Sequence, residues 1–67
     1  MTMTTMLEYQ KLILQKVSFS KELFQIEIKK SIRWLSKNEL LLLYTWLIVN
    51  YKNIYSDIIK TFFVDIF

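Results

Sequence analysis

Glu39-Leu-Leu-Leu-Leu-Tyr-Thr-Trp-Leu-Ile-Val49 is the stretch that decides the fold of this 67-residue chain. Wound as a helix, it is apolar on every face except at Thr45. Such a helix cannot lie on the surface of a water-soluble protein. It must be covered by other helices, by a second copy, by a partner or by lipid. The nearly uninterrupted run from Leu40 to Val49 is about half the ~20 residues that a membrane span needs. Asn50, Lys52, Asn53, Ser56 and Asp57 follow too soon to extend it.

Reading outward, Ser36-Lys-Asn-Glu39 has the spacing of a capping box, with Leu35 and Leu40 at the staple positions on either side. This predicts a helix over 37–51, ended by Asn50, Lys52 and Asn53, since asparagine tolerates helix-ending conformations when glycine is missing. Upstream, Ser20 is the expected cap of a helix over 20–35, with Phe19 against Leu23 or Phe24 as its staple. Phe24, Ile28, Ile32 (or Ser31) and Leu35 form its buried stripe, and Ile26 falls outside it. Thr5 and Glu8 have capping-box spacing and predict a helix over 5–17. Its broad apolar face would be Leu7, Tyr9, Leu12, Ile13, Leu14 and Val17, with Glu8, Gln10, Lys11, Gln15 and Lys16 opposite. Glu8 and Lys11 stand at pairing distance along that helix. Residues 1–4 are expected to fray.

Downstream, Ile54, Ile58, Phe62 and Ile66 form one row and Tyr55, Ile59 and Phe63 the row beside it, predicting a fourth helix over 54–66. A competing reading fuses the last two helices across Tyr51 to Asn53, because nothing there forbids helix. Neither glycine nor proline occurs anywhere in the chain, which removes tight primed hairpins and glycine-rich phosphate loops. The expected fold class is all-α, a compact bundle of three to four short helices without a sheet, in a single domain over 1–67.

A chain this short buries only about 60% of its unfolded surface and needs help to be stable. Disulfides and zinc are unavailable, with no cysteine and no histidine. The core must come from packing, for which the chain is 54% hydrophobic and 16% aromatic. The same absences remove the usual proton shuttle and thiol nucleophile. The carboxylates Glu8, Glu22, Glu27, Glu39, Asp57 and Asp65 are scattered singly, and the serines read as caps and turns. A domain of this size is also expected to lack room for a pocket of about 300 Å³ beside its core. The expectation is a protein that is not an enzyme and carries no cofactor and no metal.

The net charge is +3 and unevenly spread. Residues 1–37 hold seven cations against three carboxylates (+4), while residues 38–67 hold two against three (−1). Lys29, Lys30, Arg33, Trp34 and Lys37 gather at the end of the second helix. They could face phosphates, with Trp34 stacking on a base. Cations also collect at a helix C-terminus because the macrodipole favours them there.

The greasy helix offers more. Leu40, Leu43, Tyr44, Leu47 and Ile48 can form the centre of a bundle. Three short helices cannot also cover Leu41, Leu42, Trp46 and Val49, and an uncovered apolar patch marks an interface. With Tyr55, these are the interface candidates, Trp46 being the expected anchor. The function read from the residues is a protein–protein interaction module or subunit, self-associating as a homodimer or docking into a larger complex through its third and fourth helices. A nucleic-acid- or ribosome-associated role through the end of helix two is the alternative. A membrane-associated role is the second alternative, since aromatics and lysines flank the run.

Lys11-Leu-Ile-Leu-Gln-Lys-Val-Ser-Phe-Ser-Lys-Glu-Leu-Phe24, Trp34-Leu-Ser and Asn53-Ile-Tyr-Ser-Asp-Ile-Ile59 resemble a group of short, uncharacterised bacterial helical proteins. The resemblance spans most of the chain and implies a bacterial, cytoplasmic setting. It implies no activity, site or cofactor. The N-terminal residues, lacking a basic cluster ahead of an apolar run, do not read as a secretory signal.

Overall fold

Three helices make up the computed structural model, which describes residues 5–64 and 66: α1 (Met6–Lys16), α2 (Lys21–Trp34) and α3 (Lys37–Phe63). No strand occurs among the described residues. Each helix starts on the hydroxyl that its local sequence supplies. Thr5 Oγ1 accepts from the Glu8 amide at 3.2 Å and Ser20 Oγ from the Leu23 amide at 3.4 Å. At α3 the box closes in both directions. Ser36 Oγ accepts from the Glu39 amide at 3.2 Å, and Glu39 Oε1 accepts from the Ser36 amide at 2.9 Å. The flanking Leu35 and Leu40 are both buried in the core.

The third element departs from expectation. Helices over 37–51 and 54–66, broken at Tyr51 to Asn53, are not what forms. The helix continues through those residues, and its one non-helical backbone conformation is at Tyr55 (φ −125°, ψ 31°). Asn50 does not end the helix, because its side-chain amide donates back to the Trp46 carbonyl at 2.8 Å within the preceding turn.

The interruption at Tyr55 reverses the chain. Tyr44 and Phe63, nineteen residues apart, would lie about 28 Å apart along a straight helix, yet their ring centroids are 5.4 Å apart. The two limbs of α3 on either side of Tyr55 therefore fold back on each other. A straight α3 of 27 residues would be ~40 Å long, more than the 36 Å longest dimension of the molecule. What holds Tyr55 lies elsewhere in the chain. Its ring stacks on Phe24 of α2 at 4.5 Å, and its hydroxyl donates to the Ser18 carbonyl in the α1–α2 turn.

The core consists of Leu14 from α1, Phe24, Ile28 and Leu35 from α2 and its end, and Leu40, Leu43, Leu47, Tyr55, Ile58, Ile59 and Phe63 from both limbs of α3. The α2 stripe is as expected, with Ser31 fully buried and Ile32 half-buried. The expected face of α1 is corrected. Tyr9 and Leu12 are about half exposed, whereas Gln10 is fully buried. Gln10 Nε2 donates to Ser31 Oγ at 2.7 Å and to the Glu27 carbonyl at 3.3 Å, and Ser31 Oγ donates to that same carbonyl at 2.9 Å. This polar cluster turns α1 so that Gln10 and Leu14 face inward. The Phe19 staple does not form either, since Phe19 is 81% exposed. Lys11 points not at Glu8 but over the Trp46 ring, 5.9 Å from its centroid. The expected fraying of residues 1–4 and the expected helix end at residue 66 fall wholly or partly outside the described residues.

Candidate functional site

Leu40, Leu43 and Leu47 form the inward row of the first limb of α3 and are buried. The opposite face carries Leu41, Leu42, Thr45 and Val49, all exposed. Leu41 is 51%, Leu42 57% and Val49 77% open to solvent. The bundle thus covers one side of the apolar run and leaves the other bare. Helical periodicity places these four on one stripe, with Asn38 and Lys52 continuing it at either end. Thr45, the polar residue in the middle, donates its hydroxyl to the Leu41 carbonyl at 3.0 Å, so its hydrogen-bonding need is met within the helix.

Trp46 sits at the margin of this face. It is partly buried, edge-on to Tyr51 at 5.4 Å, with the Lys11 ammonium above it. Tyr55 does not belong to the face. At 6% exposure it is a core residue, and its place among the interface candidates is corrected, because the bend turns its ring onto Phe24.

An open groove of about 420 Å³ adjoins the face, lined by Leu41 and Tyr44 from the first limb and by Lys60, Phe63 and Val64 at the end of the second. It exceeds the volume that so small a domain was expected to accommodate. The bend makes it possible, because it forms at the surface between the two limbs and takes nothing from the core.

The basic residues at the end of α2 are dispersed rather than convergent. Lys29, Lys30, Arg33, Trp34 and Lys37 are all exposed. Lys29 leans over Phe62 of α3 at 5.6 Å, and Lys30 pairs with Glu27 at 3.1 Å. Arg33 and Lys37 make no ion pair among the described residues, and Trp34 is 56% exposed beside them.

Seven further exposed apolar side chains went unread in the sequence: Met6, Tyr9, Leu12, Phe19, Leu23, Ile54 and Val64. For α1 a signal did exist. Gln10, Leu14 and Val17 follow core spacing, and only the polarity of Gln10 hides it. Among the described residues no helix is long and apolar enough to cross a membrane. No family model, no curated protein and no solved structure matches the chain.

Proposed function

We propose that this chain is a small helical protein–protein interaction module, which self-associates or docks into a larger assembly through the outer face of the first limb of α3. The observation that carries the reading is the exposure of Leu41, Leu42 and Val49 on one stripe of a helix whose other side is core. Leaving such a stripe in water forgoes about 25 cal/mol for each Å² of apolar area that a partner would bury. Trp46 extends the stripe at its margin. The nucleic-acid reading is weaker. The cations that would serve it are partly engaged, Lys30 by Glu27 and Lys29 by the Phe62 ring. The membrane reading has no apolar helix of spanning length behind it among the described residues.

The test is photo-crosslinking in the expressing cell, with p-benzoylphenylalanine placed at position 49 and, as control, at position 61. Thr61 is exposed on the second limb, where its hydroxyl donates to the Asp57 carbonyl at 2.7 Å. Adducts at position 49 and none at position 61 are expected. Equal labelling at both positions, or none at either, would overturn the reading.

A further inference from the structure

The groove between the limbs of α3 differs from the bare stripe beside it in both shape and charge. The stripe is the convex side of one helix. The groove is concave, with a floor, two walls and a rim. The Tyr44 and Phe63 rings, tilted at 51° with centroids 5.4 Å apart, make the floor; Phe63 is buried and Tyr44 partly so. The exposed side chains of Leu41 and Val64 make the walls. Lys60 is the one charged residue that lines it.

Cations gather in the last turn of a helix without any ligand, because the macrodipole favours them there. Lys60 is set apart by its surroundings. Its methylene stem lies along an apolar wall, as long cationic side chains do while their charged ends stay in water. Among the described residues it makes no ion pair. Asp57, three residues earlier on the same limb, is taken by Lys21 at 3.1 Å. Glu39, at the start of the other limb, accepts from the Ser36 amide. No carboxylate lines the groove among the described residues, so the charge on its rim is unanswered.

We propose that this groove binds a single-tailed carboxylate, its chain over the Tyr44 and Phe63 rings and its charged end at the Lys60 ammonium. An apolar trough with one cation on its rim is complementary to an apolar chain that ends in one negative charge. Ligand sites have this build, mostly apolar with a few polar groups that fix orientation, and the groove's 420 Å³ lies within their usual range of about 300–1,000 Å³. A methylene takes about the room of a liquid water, ~30 Å³, so the tail is on the order of ten carbons. A protein partner fits the groove less well. Five lining residues are far fewer than the roughly 20–30 a side that a protein complex uses. The site goes beyond the interaction reading, with which it shares only Leu41.

The test is an amide NMR titration of the full chain with sodium decanoate below its micelle concentration, and in parallel with decyltrimethylammonium, which carries the same tail on a cation. Decanoate should give saturable shifts at Leu41, Tyr44, Phe63 and Val64, with Kd on the order of 1 mM for about twelve non-hydrogen atoms. Leu42 and Val49 on the stripe and Phe19 in the distant turn should move little. The cation should bind more weakly. Lys60→Gln should weaken decanoate about twofold to fivefold, as expected for an exposed ion pair, and leave the cation no weaker. Lys60→Glu should invert the order of the two. Lys60 is exposed, and circular dichroism confirms that each variant folds. Absence of saturable shifts at the groove, or equal binding of anion and cation by the parent chain, would overturn the site. So would groove amides that shift with protein concentration alone, which would give the groove to a second copy. A groove that ignores both amphiphiles, while p-benzoylphenylalanine at position 64 crosslinks to another polypeptide, would belong to a protein partner instead. None of these outcomes bears on crosslinking at position 49, so the interaction face stands or falls separately.

Discussion

The α1–α2 pair and the two limbs of α3 solve the same problem, setting one helix against another, by opposite means. Between α1 and α2 the contact is keyed by a buried polar cluster, in which Gln10 reaches Ser31 and the Glu27 carbonyl. Between the limbs it is keyed by shape, with Tyr44 against Phe63 and the bend pinned by Tyr55 on Phe24. A polar key admits one register, because any slip strands buried donors. An apolar contact is stronger per residue but tolerates sliding. The molecule uses the specific device where the helices are short and the apolar one where the chain is richest in leucine and aromatic residues.

The largest expected effect comes from removing what the two regions share. Phe24 is fully buried and touches both Tyr51 (5.1 Å) and Tyr55 (4.5 Å). Phe24→Ala should cost about 3–5 kcal/mol. Against the roughly 5 kcal/mol at the low end for small domains, that leaves the chain close to unfolded at room temperature, as a urea titration would show.

The polar key is expected to respond differently. Ser31→Ala leaves Gln10 Nε2 with only the 3.3 Å contact to Glu27 and should cost about 1–3 kcal/mol. Gln10 Oε1 is already buried without a hydrogen-bond partner among the described residues. Replacing both residues, Gln10→Leu with Ser31→Ala, should therefore recover most of that loss or exceed the parent, as removal of both halves of a buried pair often does. If the double variant is as unstable as the sum of the two singles, packing and not hydrogen bonding dominates that contact.

The smallest effect belongs to Lys21–Asp57, the exposed ion pair at 3.1 Å joining the start of α2 to the second limb. The hydrogen bond from the Lys21 ammonium, followed by one from the Ile58 amide, holds the Asp57 carboxyl below its ordinary range. A carboxylate whose folded value is lowered stabilises the fold above its unfolded value of about 4 and loses that contribution as pH falls through the folded value. Asp57→Asn should thus lower the melting temperature only slightly at neutral pH, in keeping with an exposed pair. The difference should close as the solution is acidified below about pH 4. A gap that persists in acid would assign the effect to something other than charge.

What could be read from the sequence was what neighbouring residues determine. Ser36 and Glu39 are three apart, and the box they predict forms. The stripe of α2 and the inward row of α3 follow from spacing alone, as does the bareness of Leu41, Leu42 and Val49, because three short helices have only so much surface to offer. What could not be read was determined at a distance. Gln10 looks like a solvent residue until Ser31, 21 positions away, is placed against it. Tyr55 looks like an interface candidate until Phe24 and Ser18 claim its ring and hydroxyl. Without Gly or Pro to announce it, the reversal of α3 has no local mark. Of the five residues expected to stay uncovered, Leu41, Leu42 and Val49 are exposed, Trp46 is partly buried and Tyr55 belongs to the core.

The anchoring of Tyr55 bears on how the molecule comes apart. Its ring belongs to the contact with α2 and its hydroxyl to the turn that ends α1, while its backbone is the bend between the limbs. One residue thus braces every helix, so no helix can detach without releasing the bend, and releasing the bend opens the core. Such a cross-brace makes unfolding cooperative. The far-ultraviolet helical signal and the tryptophan fluorescence should be lost together at a single urea concentration, leaving no state in which α3 persists after α1 and α2 have let go.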